Sequence, residues 1–148
     1  MIRVEIANPQ AAVPIDRAKM REVVRTVLEG EAVADAKISL AFVDNMTIQT
    51  LNKRYLNHDE PTDVLSFPLS EGNLSPLAGE LVIGAEVAAE QAGVRGHDTR
   101  VELALYVIHG ILHLCGYSDK DPKSVAEMRL RERHHLSRLG MPDISSEE

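Results

Sequence analysis

Two histidines one helical turn apart are the residues of this 148-residue chain whose types and spacing most clearly suggest chemistry. His109 and His113 lie in a segment that is apolar nearly throughout, and a buried helix would place both imidazoles on one face. Both rings could then direct a nitrogen at one point about 2 Å away, as zinc requires. Gly116 follows as a helix stop, and a turn there can return Asp119 to the helix end. The sequence therefore predicts a zinc site formed by His109, His113 and Asp119.

Each of these residues also has an ordinary explanation. Paired histidines are often plain core or surface residues, and Asp119 could cap the next helix. However, an unpaired imidazole in a buried helix costs free energy, and Asp121 precedes a proline and is the better cap. Cys115 is expected to be a small buried apolar residue rather than a ligand. Three other histidines are expected to be solvated, one in a loop and two in a charged helix: His58, His134 and His135.

Other side chains could assist such a site. Glu102 and Tyr106 share the helix face of the two histidines and are candidates for supporting the ligands from behind. A cap or packing role is an equal alternative for both, and no residue stands out as a general base. A zinc ion with an open fourth position would hold water, lower its pKa towards neutrality and polarise a substrate oxygen. Four basic residues could meet phosphates, although each is more simply a surface charge: Lys53, Arg54, Arg95 and Arg100.

Hydrophobic patterning predicts the elements that must position these residues. Alternation predicts strands over 2–6, 38–42, 64–67 and 81–83, with a turn-rich stretch over 70–79. Helices are predicted from Asp16 to 28, from Asp44 through 55, over 86–92 with Gly93 as its stop, over 99–115, and from Asp121 to 139. Thr99 and Glu102 match a capping box. Strands come early and helices late, which favours an α+β fold with a mixed sheet of about four strands flanked by helices.

Composition narrows the class of protein. With 44% apolar and 26% charged residues, the chain is expected to form a single domain over residues 1–148. The net charge of −7 argues against strong sequence-independent binding of nucleic acid, and five aromatic residues make base stacking improbable. One cysteine cannot form an internal disulfide, and no signal peptide or long apolar run stands out. We therefore expect a cytoplasmic protein without a membrane partner.

The histidine segment also carries a family resemblance. Residues 109–117, His-Gly-Ile-Leu-His-Leu-Cys-Gly-Tyr, resemble the signature of the YbeY family, bacterial zinc endoribonucleases that mature ribosomal RNA. A second block has Leu51-Asn52, Tyr55, Asp59 and then Pro-Thr-Asp-Val-Leu-Ser-Phe-Pro over 61–68, and it resembles the family's central motif. A third block spans 79–92. The three blocks follow the family order over nearly the whole chain.

The resemblance implies one zinc per chain, single-stranded ribosomal RNA as substrate, such as the 3′ end of 16S ribosomal RNA, and partners in the small ribosomal subunit. Zinc would assist phosphodiester cleavage, with either its bound water or the 2′-hydroxyl of the RNA as nucleophile. Two positions depart from the family pattern. Asp119 stands where the family has its third histidine, and zinc accepts that exchange at the cost of a weaker Lewis acid. Leu56 stands where the family has an arginine implicated in activity. Arg54 would lie on nearly the opposite side of the helix and is a poor substitute.

Two other functions remain open at this point. The first is a non-catalytic ribosome-assembly factor whose zinc is structural. The second is a zinc hydrolase of small amides or esters.

Overall fold

The computed structural model describes residues 1–71 and 75–145. Within these residues, four strands form one mixed sheet in the order β1-β2-β4-β3. The parallel pairs are β1 with β2 and β2 with β4, and β3 lies antiparallel to β4 at one edge. Their bounds are β1 Ile2–Ala7, β2 Ala36–Val43, β3 Val64–Pro68 and β4 Leu77–Gly84. The predicted α+β class and mixed sheet are confirmed. However, β4 begins inside the stretch expected to be turns, of which 72–74 lie outside the described residues.

Five helices accompany the sheet in the described part of the chain. They are α1 Arg17–Gly30, α2 Asn45–Leu56, α3 Ala85–Arg95, α4 Thr99–Leu114 and α5 Pro122–Arg138. The aspartates predicted as caps, Asp16, Asp44 and Asp121, each accept a backbone N–H of the first helical turn. Helices with these caps therefore begin where the sequence predicted.

Two predicted helix ends are wrong. The helix α3 continues past Gly93 to Arg95 and ends at Gly96, whose φ of 75° suits a glycine after a helix. The cap of α4 is Asp98, which accepts the backbone N–H of Arg100, and not the predicted box of Thr99 and Glu102. The carboxylate of Glu102 contacts the side chains of Arg95 and His97 instead.

The helix α4 lies at the centre of the molecule and contacts α1, α3, α5, β3 and β4. From Glu102 to Leu114 most of its side chains are buried, as predicted. Gly110 permits a close approach to the sheet, because a methyl group there would lie 2.8 Å from Cδ2 of Leu81. Among the helices of 1–71 and 75–145, none has the length and apolar character needed to cross a bilayer.

The helix α5 is tied to the end of α1 by buried polar side chains. His135 is fully buried, and its Nε2 lies 2.7 Å from Oε2 of Glu31. The prediction that His135 is solvated is therefore wrong, whereas His134 and His58 are exposed as expected. The charged composition of α5 gave no sign that the ring of His135 faces inward, because its partner, Glu31, lies at the end of α1 and is distant in the sequence.

Candidate metal centre

The chain folds back directly after α4. Cys115 ends the helix, and Gly116 adopts a φ of 103°, a conformation that L side chains rarely take. The N–H of Tyr117 then donates to the carbonyl of Leu112 over 3.0 Å, which closes the turn. This reversal returns Asp119 to the end of the helix, as the glycine stop predicted.

Three donor atoms converge at that point. The Nε2 atoms of His109 and His113 lie 3.0 Å apart. The Oδ2 atom of Asp119 lies 3.6 Å from Nε2 of His109 and 3.4 Å from Nε2 of His113. All three ligand atoms lie within 4.8 Å of one another, so the group could hold a metal ion.

The donor set and its spacing fit zinc. Ligand bonds of about 2.0–2.1 Å at tetrahedral angles separate two ligand atoms by about 3.3 Å. The three observed separations, 3.0, 3.4 and 3.6 Å, bracket that value. Two imidazoles and one carboxylate are also the donors of many catalytic zinc sites, which keep a fourth position open.

Glu132 of α5 contacts the ring of His109 on the side away from the other two ligand atoms. The sequence did not lead us to predict this residue. Its Oε2 atom lies 2.6 Å from Nδ1 of His109, and its Oε1 atom accepts a 2.7 Å hydrogen bond from Nη1 of Arg129. The carboxylate is fully buried. One signal was available, since Glu132 lies on the buried face of α5 with Met128 and Leu136, where a carboxylate needs a partner.

Burial and neighbouring charges shift the pKa values of His109 and His113 in opposite directions. Burial disfavours the imidazolium of His109, but the hydrogen bond and negative charge of Glu132, with Asp63 and Asp119 nearby, outweigh burial and raise its pKa. Burial and the neighbouring charge of His109 lower the pKa of His113. His113 is therefore the ring that more readily presents a neutral nitrogen to a cation.

A groove of about 390 Å³ opens onto the three donors. One side is formed by β3, the edge strand, and by the end of α2 at Leu56, whose side chain is 56% exposed. Asp63 also lines this groove, and its Oδ1 atom accepts the backbone N–H of Val64 over 2.7 Å. A larger hollow of about 700 Å³ borders the turn over 115–118, but its lining includes none of the three donors. The groove, and not the larger hollow, gives access to the site.

The other predicted site residues are dispersed. Tyr106 lines a cavity of about 160 Å³ together with His109, Asp119 and Glu132, so it lies beside the cluster. Glu102 does not join it: its fully buried carboxylate binds the side chains of Arg95 and His97.

The four basic residues are not gathered around the donors either. Arg95 is held in the ion pair with Glu102, and Arg100 pairs with Asp98 over 2.8 Å at the start of α4. Lys53 and Arg54 line a different hollow on α2. Leu56 is the α2 residue that lines the groove.

Comparison with known proteins identifies the family. The profile described as Endoribonuclease YbeY matches residues 5–140. The chain is 40% identical to the Endoribonuclease YbeY of Carboxydothermus hydrogenoformans, with 93% of this chain and 97% of the relative covered. It is 34% identical to the protein of that name from Bacillus licheniformis, covering 93% and 94%. The solution structure of TM1509 from Thermotoga maritima matches with a TM-score of 0.62 and 26% identity, covering 95% of this chain and 92% of that one. The chain belongs to the Endoribonuclease YbeY family.

Proposed function

We propose that this protein is a zinc-dependent endoribonuclease that cleaves single-stranded RNA during maturation of ribosomal RNA, at the 3′ end of the 16S molecule. The observation that carries the proposal is the convergence of His109, His113 and Asp119 within 4.8 Å at an open groove. Membership of the family supports RNA as the substrate, because the relatives are named endoribonucleases. We place the protein in the cytoplasm, with the small ribosomal subunit as its partner.

The side chains divide the work of the site. His109, His113 and Asp119 would hold one ion, and the carboxylate of Asp119 would neutralise part of its charge. When bound, zinc acts as a Lewis acid that activates water and stabilises charge developing on a phosphodiester. Asp63, fixed by its bond to the N–H of Val64, adds a second carboxylate to the groove wall. The groove is open along the edge strand, so an extended single strand can pass across the donors.

The charge of the chain favours presentation of the RNA by a particle. A net charge of −7 opposes capture of free RNA, because such capture relies on basic side chains that displace counterions from phosphates. Arg95 and Arg100, which carry two of the four candidate cations, are paired with carboxylates. Binding to free RNA should therefore be weak and should fall further as salt rises, and tight binding at moderate salt would contradict this part of the proposal.

The test compares RNA cleavage by three proteins loaded with zinc. The wild-type protein should cut single-stranded RNA and leave duplex RNA intact, and Asp119→Ala should lose this activity together with the metal. The matched control is Asp143→Ala, since Asp143 is an exposed carboxylate that pairs with Arg133 near the end of α5. It should cleave as the wild type does. Equal cleavage by Asp119→Ala and Asp143→Ala would refute the catalytic function of the metal site.

Metal analysis of the purified protein separates the alternatives. We expect close to one equivalent of zinc per chain, and less than about half an equivalent would count against a metal site. Full occupancy without cleavage of any RNA would instead support an assembly factor with a structural zinc. Turnover of small esters or amides with indifference to RNA would support the remaining alternative.

A further inference from the structure

We propose that Glu132 is a positioning residue that fixes the ring orientation and the tautomer of His109 for metal binding. The inference rests on the metal site of the proposed function and does not require that the site cleave RNA. It starts from the 2.6 Å contact between Oε2 of Glu132 and Nδ1 of His109. An ionised carboxylate can only accept, so Nδ1 carries a hydrogen and Nε2 is the nitrogen left to bind a metal ion. That nitrogen is the one directed toward His113 and Asp119.

Glu132 is itself held in place. Nη1 of Arg129, one turn earlier on α5, donates to its second oxygen over 2.7 Å. The carboxylate is fully buried, so these side chains take the place of water. A buried carboxylate with both oxygens engaged can hold one ring in one orientation, because any rotation would leave a charge unpaired.

Two other glutamates of the described residues, the buried Glu102 and the half-buried Glu31, have the same kind of partners, which shows that the arrangement alone is not a metal site. Glu31 contacts Arg131 and His135, and Glu102 contacts Arg95 and His97. Each joins an arginine and a histidine, as Glu132 joins Arg129 and His109.

The second nitrogen of the ring separates the Glu132 group from the Glu31 group. Nδ1 of His135 is buried and has no hydrogen-bond partner among the described residues. Nε2 of His109 instead meets two further ligand atoms in the groove. The Glu132 group therefore directs Nε2 of a histidine into a site, whereas the Glu31 group serves to join α1 to α5. The Glu132 group orients a metal ligand, and the Glu31 group stabilises the packing of two helices.

The test measures zinc affinity by competition with a chromogenic chelator, without RNA. Glu132→Gln keeps the shape but removes the charge, and it should weaken zinc binding by about 10- to 100-fold, the usual effect of losing an outer partner of a metal-ligating histidine. Glu102→Gln is the matched control, since it removes an equally buried carboxylate with an arginine and a histidine partner from the same core. It should lower the melting temperature and leave zinc affinity within about twofold of the wild type.

A second readout reports the tautomer directly. Long-range proton–nitrogen correlation spectra of the metal-free protein, recorded at a pH high enough for a neutral ring, should show the hydrogen of His109 on Nδ1 in the wild type. In Glu132→Gln, the Nε2-protonated form should become populated. This spectrum does not depend on catalysis or on global stability, provided that circular dichroism shows a folded variant.

Three results would overturn the inference. The first is zinc affinity in Glu132→Gln within about twofold of the wild type, and the second is equal weakening by Glu132→Gln and Glu102→Gln, which would indicate general destabilisation. The third is a neutral His109 ring in the wild type whose hydrogen lies on Nε2 and not on Nδ1. A wild-type protein that binds zinc in this Glu132-dependent way but cleaves no RNA would sink the proposed function and leave the inference standing.

Discussion

Replacing Leu56 by arginine should increase activity on RNA. Leu56 ends α2, lines the groove that leads to His109, His113 and Asp119, and is 56% exposed. By the resemblance of its sequence motif, it stands where the family pattern has an arginine. Because Leu56 is more than half exposed, a guanidinium at this position would border the groove without displacing any buried side chain, so the substitution should cost little stability.

The size of the effect follows from the exposure of the position. Two unit charges about 4 Å apart attract by about 1 kcal/mol in water and about 4 kcal/mol near a protein surface. A hydrogen bond to a charged group contributes about 1.5–3 kcal/mol. Because Leu56 is more than half exposed, we expect the lower part of this range, about 1–2 kcal/mol. This free energy corresponds to an increase in kcat/KM of about 5- to 30-fold.

The assay measures cleavage of a single-stranded RNA over a range of salt concentrations. One added phosphate contact should make the dependence of log affinity on log salt steeper by about 0.7. Leu130→Arg is the control, because Leu130 is 59% exposed on α5, lies outside the lining of the groove, and gives the same net charge. If both variants gave the same rate and the same salt slope, the effect would be general charge, and the assignment of Leu56 to the path of the RNA would be wrong.

Three further outcomes are expected. Asp119→Ala should weaken zinc binding more than the loss of a residue that only supports a ligand, which typically costs about 10- to 100-fold. Asp119→His should retain the ion. Equilibrium dialysis measures both affinities, and equal affinities of Asp119→Ala and the wild type would exclude Asp119 as a ligand. Gly116→Ala should lower the free energy of unfolding by about 1–2 kcal/mol, because Gly116 has a φ of 103°. Gly93→Ala should raise the free energy of unfolding by up to about 1 kcal/mol, since Gly93 is helical and a methyl group there meets no atom within 4 Å. Urea denaturation measures both, and a shift of both variants in the same direction would contradict this reasoning. Burial, partly offset by Glu31, lowers the pKa of His135 below its ordinary 6.5. Below about pH 6.5, His135 therefore binds a proton more readily in the unfolded chain than in the native state. The free energy of unfolding should fall as the pH drops, by at most about 1.4 kcal/mol per pH unit from this group. His135→Gln should lose less stability than the wild type between pH 7 and pH 5, and a parallel loss in both would refute the assignment.

The three candidate ligands were predictable because the features that bring them together are local in the sequence. Two histidines at i and i+4 share a helix face wherever the helix packs. Gly116 adopts the positive φ that reverses the chain, and only a few residues separate it from Asp119. Periodicity and turn chemistry determine such an arrangement without knowledge of the tertiary contacts. The strands, apart from the start of β4, and the caps Asp16, Asp44 and Asp121 were predictable for the same reason.

The partners of the buried charges were not predictable, since they come from distant elements. Glu132 meets His109 across 23 positions, and Glu31 meets His135 across 104. A helix pattern shows which face is buried, but not which side chain of another helix lies opposite. Glu102 illustrates the limit, because helical spacing puts it on the face of the two histidines, while its partners are Arg95, at the end of α3, and His97. Helical spacing fixes the direction of a side chain but not the residue of another element that it meets.

The two departures from the family pattern act in the same electrostatic direction. Asp119 in place of a neutral histidine adds one negative charge at the ion, and Leu56 in place of arginine removes one positive charge from the groove. With Asp63 also on the wall, the path to the donors is less attractive to phosphates by two charges than the family pattern implies. Such a site works only if another surface supplies the attraction, so reversing either departure should improve cleavage of free RNA more than cleavage on a ribosomal particle. The double variant Leu56→Arg, Asp119→His, assayed on both substrates beside each single variant, tests this coupling, and equal gains on the free and the particle-bound RNA would show that the particle contributes no attraction.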